Sequence, residues 1–150
     1  MRITIAFLLL LASAFATPTS AGPYGDDLAK CLVKSSSDAD RNMLVKWFFA
    51  GAALHPEIRD IATITEAQRE ALNRQAAALF ERLLTQACKT ELQEAVKYEG
   101  AVVFRSSFQV LGQVAGQGLF SHPAVNAGMQ DFTKYLDMGK LAALTGTPPK

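Results

Sequence analysis

Apolar residues in this chain recur three and four positions apart, and no segment sustains the strict alternation of a half-buried strand. Leu28, Cys31 and Leu32 form one such set, and Leu72, Ala76, Leu79, Phe80, Leu83 and Ala87 form a longer one. Side chains at these spacings share one face of an α-helix. The long connections that parallel strands need are missing as well. The pattern therefore predicts an all-α fold, a bundle of four main helices plus one or two short ones.

Local signals set the expected boundaries. A first helix spans Asp26 to about Lys34, behind a flexible lead-in of residues 22–25. Ser35-Ser36-Ser37 breaks it, and Ser37 with Asp40 approximates a capping box, Asp replacing the usual Glu. The second helix runs from Asp38 to about Leu54. Its stretch from Met43 to Leu54, with Trp47-Phe48-Phe49, is apolar nearly all round, which predicts a central position with all three aromatics in the core. Pro56 pushes His55 out of helical geometry, and one short turn or helix fills residues 56–64. Thr65 and Gln68 make a second capping box and open the longest helix, with Glu70 and Arg74 paired on its wet side. That helix either stops near Cys88 or bends at Thr90 and continues to Glu99. Gly100 precedes a fourth helix over residues 101–120. One half of it carries Val103, Phe104, Phe108, Val110, Leu111, Val114, Ala115 and Leu119. The other half carries Arg105, Ser106, Gln109, Gly112, Gln113, Gly116 and Gln117. A fifth helix starts at Pro123 with Val125, Met129, Phe132 and Leu136 as its apolar stripe, Gly139 interrupts it, and residues 145–150 form a frayed tail. The run Cys31-Leu32-Val33-Lys34-Ser35-Ser36-Ser37-Asp38-Ala39-Asp40-Arg41, continued to Trp47-Phe48, resembles segments of small exported bacterial proteins of uncharacterised function. That resemblance covers residues 28–56 and implies no activity and no site.

Met1-Arg2, the apolar run Ile3–Ala12 and two A-x-A-like sites ending at Ala16 and Ala21 have the order of a secretory leader. The run is shorter than the ~20 apolar residues that a membrane-spanning helix needs. Cleavage after Ala21 is favoured over Ala16, because Pro18 breaks the apolar helix just ahead of that cut. One domain of residues 22–150 remains, addressed to the periplasm, with secretion as the alternative. The 15 Lys+Arg face 14 Asp+Glu, and Arg2 leaves with the leader, so the exported chain is neutral. A neutral chain without a basic cluster has no field for nucleic acid or an acidic membrane surface. Cys31 and Cys88 are the two cysteines. In an oxidising compartment they read as a disulfide, and closing a loop of roughly 60 residues is worth roughly 4 kcal/mol in the loop-entropy account.

Candidate chemistry is sparse. His55 and His122 both precede proline, after the similar helix ends Ala50-Gly51-Ala52-Ala53-Leu54 and Ala115-Gly116-Gln117-Gly118-Leu119. As a pair they are weak candidates for a metal site, or for haem with Met43, Met129 or Met138. A metal wants three or four ligands, and covalent haem attachment needs a C-x-x-C-H that is absent. A Glu57–His55 dyad, with Asp60 nearby, is the only acid–base pairing that suggests an envelope hydrolase. There is no G-x-S-x-G, and Ser106 and Ser107 have no base partner in the sequence. No cofactor and no catalytic residue is expected.

The least ordinary feature is the uncharged row Gln109, Gln113 and Gln117, set beside Gly112 and Gly116. Glycine within a helix costs ~1 kcal/mol relative to alanine, so two of them want a reason. With Arg105, this row is the candidate partner face. The expectation is a non-enzymatic exported protein that binds a periplasmic or effector protein, in the manner of an inhibitor or immunity protein.

Overall fold

The computed structural model describes residues 22–145. In chain order it contains α1 (Pro23–Ser35), α2 (Asp38–Ala52), α3 (Glu66–Arg82), a π-turn (Leu83–Ala87), α4 (Lys89–Glu99), α5 (Val102–Phe120), α6 (Pro123–Gln130), a 3-10 turn (Asp131–Tyr135) and α7 (Met138–Thr145). The fold is all-α, as the spacing predicts. The expected leader and most of the expected tail lie outside the described residues.

The starts of α2 and α3 follow from short-range chemistry. Ser37 Oγ accepts from Asp40 N at 3.1 Å, and Ser37 N donates back to Asp40 Oδ2 at 2.8 Å. Thr65 and Gln68 repeat the arrangement at 3.2 and 2.9 Å. Both boxes satisfy backbone donors that the first turn of a helix leaves open.

Helix α1 starts three residues earlier than expected, and the supposed lead-in is its first turn. Pro23 sits where its missing N–H costs nothing. The amides of Tyr24 and Gly25 donate to the Glu99 carboxylate at 2.8 and 3.1 Å. The Tyr24 and Tyr98 rings stack above this cap, centroids 4.5 Å apart.

The longest helix does not stop at Cys88. Five residues of π-turn follow α3, closed by Cys88 N donating to Leu83 O at 2.8 Å, and α4 continues to Glu99. A π-turn spends about five residues where an α-turn spends fewer. Leu83 and Cys88 therefore return to the same face, and both are fully buried. Cys31 and Cys88, 57 residues apart in the chain, are joined by a disulfide at this junction.

The rod from Glu66 to Glu99 runs antiparallel to both earlier helices. Its α3 half meets α2 through Arg82–Asp40 at 2.9 Å, Trp47–Asn73 at 2.9 Å and Arg69 to the Ala50 carbonyl at 3.2 Å. Its α4 half meets α1 from the Tyr98–Tyr24 stack to the disulfide. Helix α5 packs on α1, α2 and α4. Leu28, Leu32, Leu83, Val103 and Leu111 are fully buried between these elements. Ser107, buried with them, donates to the Gly25 carbonyl at 3.0 Å.

Ala87, expected on the apolar stripe of the long helix, is exposed, because the π-turn shifts the helical period there. Two further expectations fail, each for a packing reason. Helix α2 is not central. Only Leu44 and Ala50 are buried in it, and Phe48 and Phe49 are 66% and 53% exposed. Helices α3 and α5 cover two of its faces, and no described element covers the third. The stripe Val125, Met129, Phe132 and Leu136 does not pack into a fifth bundle helix either. Helix α6 gives way to a 3-10 turn at Asp131, and Leu136 is extended, so the regular helical period is lost. Met129 and Phe132 are 57% and 60% exposed. Among the described residues, no helix is long and apolar enough to cross a membrane.

Candidate functional site

The uncovered face of α2 and the facing side of α5 enclose a groove of about 600 Å³. On the α2 side stand Leu44, Val45, Phe48 and Phe49. Gln109, Gly112, Gln113, Ala115, Gly116, Gln117, Leu119 and Phe120 complete it from α5. No charged side chain lines it. A second hollow of about 400 Å³ adjoins at Leu44 and Gly112 and is lined by Trp47, Phe80, Leu84, Phe108 and Leu111. There Trp47, Phe80 and Phe108 form an edge-to-face series, with centroids 5.7 and 5.1 Å apart. The Trp47 indole N–H donates to Asn73 Oδ1 at 2.9 Å, so this wall is fixed at both its apolar and its polar end.

The glycines explain why the groove is open. A Cβ placed on Gly112 or Gly116 would meet nothing within 4 Å. Neither glycine is therefore needed for close packing within the described chain. The space a side chain would take belongs to the groove, and so does the free side of the helix backbone. Gln109, Gln113 and Gln117 add amide donors and acceptors along the rim.

Every residue of the expected partner face except Arg105 lines this groove. Arg105 is exposed on the same helix, outside the lining. Comparison with protein-family models, curated proteins and solved structures finds no match to the chain. The groove is thus read from its own chemistry. The α2 wall is where the expectation fails: the sequence pattern puts Phe48 and Phe49 in the core, and they stand exposed in the groove, while Val45 packs against the core and lines the groove as well. The available signal was a helix apolar all round beside a helix carrying glycines on its polar half. Together those mean an apolar face with no cover.

The other candidates are simpler. His55 and His122 follow the C-terminal ends of α2 and α5, and both are exposed. His55 Nδ1 accepts from the Glu57 amide at 3.3 Å, a contact within one loop. Among the described residues, no three His, Cys, Asp or Glu side chains gather where they would hold a metal ion. Ser107 is buried and spent on Gly25, and Ser106 Oγ donates to the Val103 carbonyl at 3.2 Å.

The one carboxylate with a marked environment supports the fold. Burial pushes the Asp40 carboxyl up, but hydrogen bonds from Ser37 and the Arg82 guanidinium outweigh it and hold Asp40 below its ordinary value. Arg82 reaches it at 2.9 Å and also donates to the Ser35 carbonyl at 3.3 Å. This cluster ties the α1–α2 link to the end of α3.

Proposed function

We propose that this is an exported, non-enzymatic docking protein whose α2–α5 groove receives an apolar helix of a protein partner, as an inhibitor or immunity protein would. The observation that carries the reading is an apolar trough with no charge in its lining, floored by glycines whose missing side chains serve no contact among the described residues. Helix-in-groove recognition uses apolar anchors laid into such a trough. A fatty acid or a phosphorylated ligand would want a cation at one end, and the lining offers none. A partner helix brings its own satisfied backbone, so it enters at little desolvation cost.

Export fits the same reading. Helix α1 begins at Pro23, and a cut after Ala21 leaves it whole. A Cβ on Gly22 would collide with the Glu99 carboxylate, so the new Gly22 ammonium would stand beside that carboxylate. Periplasm is the proposed address, and a second protein there is the proposed partner.

The test is a crosslinking pull-down from the periplasm, comparing wild type with a Gln113→Arg, Gly116→Leu variant by mass spectrometry. A stoichiometric partner that the variant loses, crosslinked at the groove, supports docking. A partner retained by the variant would refute the assignment of this groove.

A further inference from the structure

We infer that Cys31 is a thiol–disulfide exchange site, at which a small polar thiol opens and recloses the Cys31–Cys88 bridge while the domain stays folded. The inference is independent of the groove. The two sulfurs of the bridge stand in unlike places. Cys88 is fully buried. Cys31 is half-buried and lines an open hollow of about 680 Å³ between α1 and α4, which Cys88 does not line. A thiolate arriving from solvent therefore meets Cys31 Sγ and is kept from Cys88 Sγ. Access of this kind decides which sulfur of a disulfide is attacked.

The hollow suits such a reagent. Its volume lies within the roughly 300–1,000 Å³ of small-molecule sites. Asp27, Lys30 and Lys34 of α1 and Glu91 and Glu94 of α4 line it. Both signs of charge are present, so a small thiol carrying an ammonium and carboxylates of its own finds complements there.

The exchange balances in two steps. The thiolate attacks Cys31 Sγ, the bridge breaks, and its electron pair leaves on Cys88 Sγ, which gives a mixed disulfide at Cys31 and a thiolate at Cys88. A second thiolate then attacks the reagent's sulfur and releases Cys31. Two reagent thiols are oxidised to one disulfide, the bridge is reduced, and Cys31 and Cys88 each take up a proton. Reclosure runs the first step backwards. Ser35 is placed to help the buried leaving thiolate. Its Oγ lies 3.8 Å from Cys31 Sγ and 3.8 Å from Cys88 Sγ. A bridged sulfur has no hydrogen to give, so the hydroxyl is the donor, and a buried anion needs one.

Other contacts hold α1 while the bridge is open. Leu28 and Leu32 are fully buried. Glu99 accepts from the Tyr24 and Gly25 amides at 2.8 and 3.1 Å, and Ser107 donates to the Gly25 carbonyl at 3.0 Å. The two sulfurs thus stay neighbours, and reclosure is an intramolecular step at high effective concentration.

The experiment follows reduction of the oxidised chain by dithiothreitol, counting free thiols by mass after alkylation, at urea concentrations below the unfolding transition. The expected rate is first order in thiol and changes by less than about twofold across the series, because the route needs no unfolding. A rate that climbs with urea in step with the unfolding equilibrium overturns the inference, since the bridge would then be reached only in the open chain. A second arm offers glutathione disulfide to Cys88→Ala and Cys31→Ala variants, each first shown to be helical by circular dichroism. The thiol at position 31 should take up glutathione about 100-fold faster than the thiol at position 88, and strong urea should make the two rates converge. Equal rates in the folded variants overturn the inference. If either variant does not fold, the urea series decides alone. Ser35→Ala should slow the reduction of the bridge about tenfold with little change in the urea midpoint. An unchanged rate would contradict a thiolate leaving within the folded core.

Discussion

At the scale of single residues, two carboxylates hold helix starts in different ways. Asp40 lies three residues from Ser37, so its box was legible in the sequence, and Arg82 adds a long-range partner. Its folded value is depressed, so its contribution is fully present above the ordinary value near 3.8 and is lost as pH falls through the folded value. An Asp40→Asn variant should therefore unfold more easily than wild type at pH 7. The gap, read from urea midpoints, should close as pH drops below 4. Glu99 caps α1 from 75 residues away, which no local pattern reveals. Glu99→Ala leaves two first-turn amides without a carboxylate and should cost about 1–2 kcal/mol in urea unfolding. An unchanged midpoint would mean that water replaces Glu99 in full.

At the scale of elements, the sequence made helix starts and core stripes legible, and it misplaced the elements whose burial depends on a neighbour. Leu79 and Leu83 are buried as the periodicity of α3 implies. Phe48 and Phe49 were sent to the core because hydrophobicity around α2 says nothing about which helix covers which face. The stripe of α6 was read as a bundle helix because a 3-10 turn is invisible to a 3.6-residue count. The glycines of α5 were noticed from their cost, but only the structure shows that no contact within the described chain requires them. That cost yields a prediction with two opposite signs. Gly112→Ala with Gly116→Ala should raise stability by about 1–2 kcal/mol, since each added Cβ improves helix propensity and meets nothing. The same pair should weaken groove binding by making the floor shallower. If the double variant destabilises the chain, an unseen packing role explains the glycines better than docking does.

For the whole molecule, the disulfide joins α1 to the bend between α3 and α4, and the core packs around that junction. Cys88 is fully buried, so alanine is the replacement that leaves no orphaned hydroxyl. A Cys31→Ala, Cys88→Ala variant should lose about 2–4 kcal/mol, seen as a lower denaturant midpoint. Its groove, built from α2 and α5 away from the bridge, should still bind where the domain remains folded. The pairing was legible from the cysteine count and the leader-like pattern expected of residues 1–21. The groove was legible only by half, because its two walls come from helices about sixty residues apart and their meeting is a tertiary fact. The near balance of 15 Lys+Arg against 14 Asp+Glu agrees with the proposal at this scale, since an uncharged trough on such a chain would meet the proposed partner by shape and apolar contact.

The central claim is that the α2–α5 groove is where another protein sits. The most direct measurement places a photo-crosslinker at Gln113, inside the groove, and in a parallel sample at Arg105, outside its lining, in the full-length chain. Irradiation in the periplasm should give a discrete product from position 113, with the crosslinked peptide helical and amphipathic, and little or none from position 105. Equal yields from both positions, or none from position 113 while the folded protein is abundant, would contradict the account.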